Sequence, residues 1–178
     1  SCGMGVTEKL GKGREKMAEE GAAHLLLSKL DDIMWLCNIR ANDVECNPVA
    51  LSYAFISREK AVLFIQSAAL TEETRGYLAE NGVTCEEYDH AAAYLKSCEI
   101  DGKVWCSCAD ISYMLYKLVQ DRTELVDKKN PTELMKAVKN PVELEHIREC
   151  YIRDSAALTK FLFWMKENAG KTAMDELS

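Results

Sequence analysis

The sequence has no run of Lys and Arg, no C-x-x-C pair, no G-x-S-x-G elbow and no apolar stretch near the roughly 20 residues that a bilayer-spanning helix needs. Each absence removes a class of function. Its 22 Lys and Arg are outnumbered by 29 Asp and Glu, a net charge of −7, so no counterion-release term favours a phosphate backbone or an anionic lipid surface. Neither nucleic acid nor a membrane is expected as a partner. The missing C-x-x-C argues against a thioredoxin-like redox centre. The Cys/His groupings Cys106-x-Cys108, Cys85 with His90, and His146 with Cys150 lack a second half at zinc-site spacing. Histidine is scarce, and none of His24, His90 and His146 has a nucleophile elbow beside it. Gly3, Gly5, Gly11 and Gly13 follow no strand, so no phosphate-cradling loop is read there.

What remains is ample core material. Hydrophobic residues make up 48% of the 178 and charged residues 29%, a composition that folds. The eight cysteines are scattered, several inside apolar segments where a thiol acts as a small hydrophobe, which points to a reducing compartment. With no charged n-region followed by a long apolar stretch, a soluble cytoplasmic chain is expected.

The periodicities alternate between strand and helix. A helix is predicted over 6–20, its face formed by Leu10, Arg14, Met17 and Ala18, and a doubly covered strand over 22–27. His24 in that strand reads as a core histidine with both ring nitrogens satisfied. A buried helix follows over 31–38 with Asp31 as its cap, which also accounts for the Asp31-Asp32 pair without catalysis. Strands at 51–57 and 61–66 sit at hairpin spacing around Arg58-Glu59-Lys60. Thr71 caps a helix over 71–81. Strands at 83–88, 103–107 and 122–126 then alternate with helices at 91–98 and 110–120. The result is an α/β layer with helices on both faces.

After Asp127 no further strand appears. Asn130-Pro131-Thr132-Glu133 and Asn140-Pro141-Val142-Glu143 repeat one helix-start device, with Asn as cap, Pro first in the helix and Glu three residues past the cap. The second helix carries an apolar stripe of Leu144, Ile147, Tyr151, Leu158, Phe161, Leu162 and Met165 toward Gly170. At about 27 residues and 1.5 Å each it is longer than the layer can cover, and part of its stripe calls for another partner. Thr172-x-x-Asp175 then starts a further helix too short to stand alone, which suggests a chain cut inside a larger protein.

The long connection over 38–53 holds Arg40, Asn42, Asp43, Glu45 and Asn47-Pro48, and loops of this length often serve a site. The same residues fit a solvated connection whose Arg and Asp pair with each other.

Leu30-Asp31-Asp32-Ile33-Met34-Trp35-Leu36-Cys37-Asn38-Ile39-Arg40, with Asp43, Asn47-Pro48 and Ser52-Tyr53, resembles the middle domain of the three-domain aminopeptidase P (Xaa-Pro aminopeptidase) family. Lys139-Asn140-Pro141-Val142-Glu143-Leu144, with Ile147-Arg148 and Ile152-Arg153-Asp154-Ser155-Ala156-Ala157-Leu158, resembles the helix that opens that family's catalytic domain. Ala41 stands where glycine is usual, Glu45-Cys46 where Pro-Tyr is common, and Ala50-Leu51 where aromatics are frequent.

The resemblance implies a creatinase N-terminal-like mixed sheet flanked by helices over 1–138, followed by C-terminal helices over 139–178 that open a truncated pita-bread domain. It implies a parent hydrolase, a metallopeptidase that removes the residue before a proline, so that peptides with proline in second position are its substrates. It also implies two divalent ions, commonly manganese, held by two Asp, two Glu and a His that the family places beyond this sequence. Such a pair would carry a bridging hydroxide and steady the oxyanion. This chain alone is therefore expected to be inert, with no catalytic or metal residue of its own. Arg40, Asp43, Asn47 and Tyr53 are the candidates for shaping access to the active site, and a homo-oligomer is expected from the uncovered Phe161, Leu162, Trp164 and Met165. Two other readings stay open: a stand-alone binding module on this fold, and a fragment of a prolidase or creatinase.

Overall fold

The computed structural model describes residues 3–171 and 175. The chain divides into two units, Met4–Val138 and a second that resumes at Lys139 and holds one long helix.

The first unit opens on α1 (Val6–Glu19), whose buried residues Val6, Leu10, Gly13 and Met17 recur every three to four positions and so form one inward face. Lys9 is buried with them, while Ala18 is exposed; the face is turned from the one read off Ala18 and Arg14. Gly21, at φ 64, lets the chain reverse into β1 (Ala22–Leu27), buried at every position. Then come α2 (Leu30–Cys37), β2 (Ser52–Ser57) and β3 (Ala61–Ile65). After them follow α3 (Glu72–Glu80), β4 (Val83–Glu86), α4 (Ala91–Ser97), β5 (Lys103–Cys106), α5 (Tyr113–Gln120), β6 (Leu125–Asp127) and α6 (Pro131–Ala137).

The six strands form one sheet in the order β4-β3-β2-β1-β5-β6. β1 is parallel to β5, β5 to β6 and β3 to β4, whereas β2 is antiparallel to both of its neighbours. Only β2 runs against the rest among the described strands. Its register sets Leu27 opposite Ala54 and Tyr53 opposite Phe64. Side chains alternate across the sheet as strand geometry requires. Leu25, Leu27, Ile56, Leu63 and Ile65 pack with α1, α2 and Leu78 of α3. Leu26, Phe55, Val62, Phe64 and Val104 pack with Ala91 and Leu95 of α4 and Leu115 and Val119 of α5. This is the mixed sheet with helices on both faces that the sequence implied.

Several boundaries differ from the periodicity reading, each for a local reason. Lys29, not Asp31, is the residue before α2, and no side chain caps that end. Asp31 and Asp32 instead lie in its first turn, where carboxylates suit the helix dipole. α5 starts at Tyr113, because the Ser112 hydroxyl accepts from the Leu115 amide and Asp110 is held in a preceding turn by the Ser107 hydroxyl at 2.5 Å. Asn130 does not cap α6; its amide is drawn to Asp32 at 3.1 Å. Thr71 does cap α3, accepting from the Thr74 amide, and Gly82 at φ 75 ends that segment.

The second unit is dominated by α7 (Pro141–Asn168), 28 residues opened by a full capping box: the Asn140 side chain accepts from the Glu143 amide while Glu143 accepts from the Asn140 amide. No residue of α7 is buried, and Tyr151, Ile152, Leu158, Phe161 and Trp164 are exposed. The short helix expected over 172–178 lies outside the described residues.

Candidate functional site

The carboxyl ends of the five mutually parallel strands and the start of β2 share one edge of the sheet, the edge where open α/β sheets usually bind ligands. The connection from α2 to β2 emerges there. α2 is buried from Asp32 to Cys37 and ends on Asn38 in the left-handed region, at φ 54, a conformation that asparagine tolerates. Asn38 is fixed from both sides, its Nδ2 donating to the Met4 carbonyl at 3.0 Å and its Oδ1 accepting from Lys9. Lys9 is 1% exposed; it also donates to the Trp35 carbonyl at 2.6 Å and stands 4.0 Å from the centre of the Trp35 ring, a cation–π contact in a dry setting.

Beyond Asn38 the chain folds into a finger. The Arg40 Nη1 donates to the carbonyls of Met34 at 3.2 Å and Ile39 at 2.7 Å, placing its charge at the negative end of α2. The Ala41 amide donates to Pro48 at 3.5 Å and the Asp43 amide to Val49 at 3.2 Å, so the two legs run alongside each other. Asp43 Oδ2 accepts from the Leu51 amide at 2.9 Å and closes the base. At the tip, Val44 and Asn47 form an isolated bridge around Cys46, whose φ is 58.

Three of the four sequence candidates therefore share one structure. Arg40, Asp43 and Asn47 belong to the finger and are exposed. Arg40 and Asp43 do not pair with each other; each bonds to backbone. Tyr53 lies elsewhere, on β2 and on the sheet face that packs against α4 and α5. Its ring stacks on Tyr88 with centroids 5.1 Å apart, and the Tyr88 hydroxyl donates to the Tyr53 hydroxyl at 3.2 Å. That bond and partial burial push the Tyr88 phenol up to about 12.

Sequence reasoning missed two charged clusters near this edge. One is Lys9 with Asn38 and Trp35; the only signal was a lysine at the apolar spacing of α1. The other joins α6 to α2: Lys136 donates to Asp32 at 2.8 Å and to Asp31, and Lys29 pairs with Glu133 at 2.8 Å. Burial alone would lower the Lys136 ammonium, but its bonds to Asp31 and Asp32 outweigh burial and raise it; in the same way burial of Asp31 is overcome by Lys136, which lowers its carboxyl. Cys106 and Cys108 stand 3.8 Å apart with both thiols pushed up, chiefly by burial, which leaves them poor nucleophiles.

Residues 1–143 match the family model of the creatinase/prolidase N-terminal domain. The chain belongs to this family. The creatinase/prolidase N-terminal domain is 37% identical over 166 residues to Xaa-Pro aminopeptidase 1 of Dictyostelium discoideum, covering 93% of this chain and 26% of that protein. It is 31% identical over 192 residues to aminopeptidase P1 of Arabidopsis thaliana, covering 92% of this chain and 29% of that one. Among solved structures, the X-prolyl aminopeptidase of Caenorhabditis elegans, described as cytosolic with a di-nuclear active site, superposes with a TM-score of 0.86 at 26% identity, covering 94% of this chain and 28% of that one. The Xaa-Pro dipeptidase of Bacillus anthracis shares the fold, with a TM-score of 0.67 at 17% identity and coverage of 89% and 43%. The domain thus spans about a quarter of the length of its aminopeptidase relatives.

Among the described residues no group of three or more His, Cys, Asp or Glu is placed to hold a metal ion. The described side chains therefore do not fit a di-nuclear centre. Nor is any helix of the described residues long and apolar enough to cross a membrane.

Proposed function

We propose that this domain is the access-shaping, non-catalytic part of a cytoplasmic Xaa-Pro aminopeptidase, whose reaction is the release of an N-terminal residue that precedes proline. The observation that carries this reading is the likeness to aminopeptidases along 93% of this chain but only 26% of the relative's length. Hydrolysis would then belong to residues outside this chain, at two divalent ions, with manganese the metal expected.

In this reading the finger supplies the contribution of the domain. It is anchored at Asn38, Asp43 and Leu51 and carries its exposed polar groups, Arg40 and Asn47, on a frame bonded to itself. A frame of that kind can limit what enters a neighbouring cleft without taking part in bond cleavage, which agrees with the absence of a nucleophile–base pair among its side chains. Tyr53 acts differently: half-buried and stacked on Tyr88, it holds the start of β2 and so the base of the finger.

The test is hydrolysis of an Xaa-Pro peptide with manganese supplied, on this chain and on the full-length parent side by side. The parent should cleave and the chain alone should not. Cleavage by the 178-residue chain, or tight retention of two cations by it, would overturn the assignment.

A further inference from the structure

Cys106 is the last residue of β5, and Cys108 follows it across Ser107 at the sheet edge from which the finger emerges. Residues two apart in an extended chain point to the same side, and both cysteines pack with the α4 and α5 layer, Cys106 within it and Cys108 at its margin. Their sulfurs stand 3.8 Å apart, within contact distance, and both thiols are free.

The two differ in access. Cys106 is 1% exposed, whereas Cys108 is partly exposed and lines a cavity of about 660 Å³ between α5 and β6. Ile111, Tyr113, Tyr116 and Leu125 form the apolar part of its wall, with Tyr113 well exposed at the rim. Two carboxylates line it as well. Glu124 is paired with Lys103 at 2.7 Å, and Asp127 Oδ1 accepts from the Cys108 amide at 3.0 Å. A carboxylate held beside Cys108 repels an anionic oxidant and leaves a neutral one unopposed.

The two differ in acidity too. Burial pushes both thiols up, that of Cys106 to about 12; at Cys108 burial and Asp127 raise it, while the bond with Cys106 pulls the other way. Cys106 is therefore the thiol that donates and Cys108 the sulfur that ionises first, and Cys108 is also the one that opens to the cavity.

We propose that Cys108 and Cys106 form a reversible dithiol site for a neutral hydroperoxide, with Cys108 the sulfur attacked first and Cys106 the thiol that resolves it. In the first step the Cys108 sulfur takes the terminal peroxide oxygen, the O–O bond breaks, and the thiol proton leaves with the other oxygen as an alcohol or water. Cys108 is then a sulfenic acid. In the second step the Cys106 sulfur attacks that of Cys108, the S–O bond breaks, and the Cys106 proton leaves with the hydroxyl as water. Two thiols and one hydroperoxide thus give one disulfide, one alcohol and one water. Only Cys108 has to be reached from solvent. Burial makes the first step slow, so the pair answers sustained oxidant, and a ring closed across the single residue Ser107 is strained and readily reduced again. The site does not depend on the peptidase reading.

Trypsin releases residues 104–117 as one peptide that holds both cysteines and no other, so mass spectrometry reads the pair directly. After hydrogen peroxide that peptide should be lighter by two hydrogens and closed to alkylation, and dithiothreitol should restore both thiols. Cys106→Ala should strand Cys108 as its sulfenic acid and raise its dimedone adduct by about tenfold or more over the unaltered chain, where the resolving thiol is already in contact. Cys108→Ser should leave Cys106 reduced. If Cys106→Ala fails to fold, the unaltered chain and Cys108→Ser still decide. The proposal is overturned if the peptide stays reduced while the exposed Cys46 and Cys150 oxidise, if the unaltered chain accumulates sulfinic acid at Cys108 instead of the disulfide, or if Cys106 oxidises in Cys108→Ser.

Discussion

Lys136 of α6 donates to Asp32 of α2 at 2.8 Å across 104 residues of sequence. Asp32 is 0% exposed and also accepts from Asn130, so its charge has been taken out of water and is held by two partners. This pairing fastens the last helix of the domain to the helix from which the finger departs.

Replacing Lys136 by Met should leave a buried carboxylate without its cation and destabilise the domain by about 3 kcal/mol, the usual cost of breaking a buried pair from one side. Adding Asp32→Asn should recover most of that loss. Urea unfolding of the single and double variants measures both, and an additive loss in the double variant would refute the coupling.

Acid should loosen the same junction. Asp31 titrates below its ordinary 3.8 because Lys136 overcomes the effect of burial, so its contribution is present above that pH and fades as pH falls through the lower folded value. Its side chain is 58% exposed, and solvent screening keeps the effect small. Unfolding followed from pH 5 to about 2 should show a shallower decline in Asp31→Asn than in the parent sequence.

At the alkaline end Tyr88 is the reporter. Its phenol is raised to about 12, first by the bond to Tyr53 and then by burial, so stabilisation is complete below the ordinary value of 10 and lost as pH rises through about 12. Absorbance titration of the seven tyrosines should reveal a late fraction. Tyr88→Phe should remove it and Tyr53→Phe should move it to lower pH; no change in either variant would refute the assignment.

The finger makes a kinetic prediction for the full-length parent. Asp43→Ala removes the acceptor of the Leu51 amide and should speed hydrogen exchange there by roughly tenfold, the equivalent of about one hydrogen bond. If the finger shapes access, Asp43→Ala and Asn47→Ala should raise KM for Xaa-Pro peptides and leave kcat nearly unchanged. An equal fall in kcat and kcat/KM would place these residues in the chemistry instead.

The exposed apolar residues of α7 predict self-association of this chain. Sedimentation should show a concentration-dependent dimer that Phe161→Ser with Leu162→Glu abolishes; a strict monomer at all concentrations would contradict it.

Much of this architecture was legible from the chain. β1 was readable to the residue because an apolar run between Gly21 and Ser28 has few other fates, and α7 because Asn140, Pro141 and Glu143 each fit one slot of a helix start. The same Asn-Pro-x-Glu device also starts α6, at Asn130 and Pro131, but without the side-chain cap: the Asn130 Nδ2 donates to a buried carboxylate 98 residues away, which holds the side chain off the helix end and which local spacing cannot report. Asp31 is not a cap because α2 already begins at Leu30, which puts Asp31 and Asp32 inside its first turn. Of the candidate residues, Arg40, Asp43 and Asn47 share a loop in sequence and remain together in space. Tyr53 parts from them because strand alternation turns it to the other face, where Tyr88 lies 35 residues on.

The reversed direction of β2 has a thermodynamic corollary. Because the finger is gripped at one root by a buried helix and at the other by a central strand, substitutions at its exposed tip residues Glu45 and Cys46 should leave the melting temperature of the domain nearly unchanged, whereas one at Ala41, which packs against the core, should lower it.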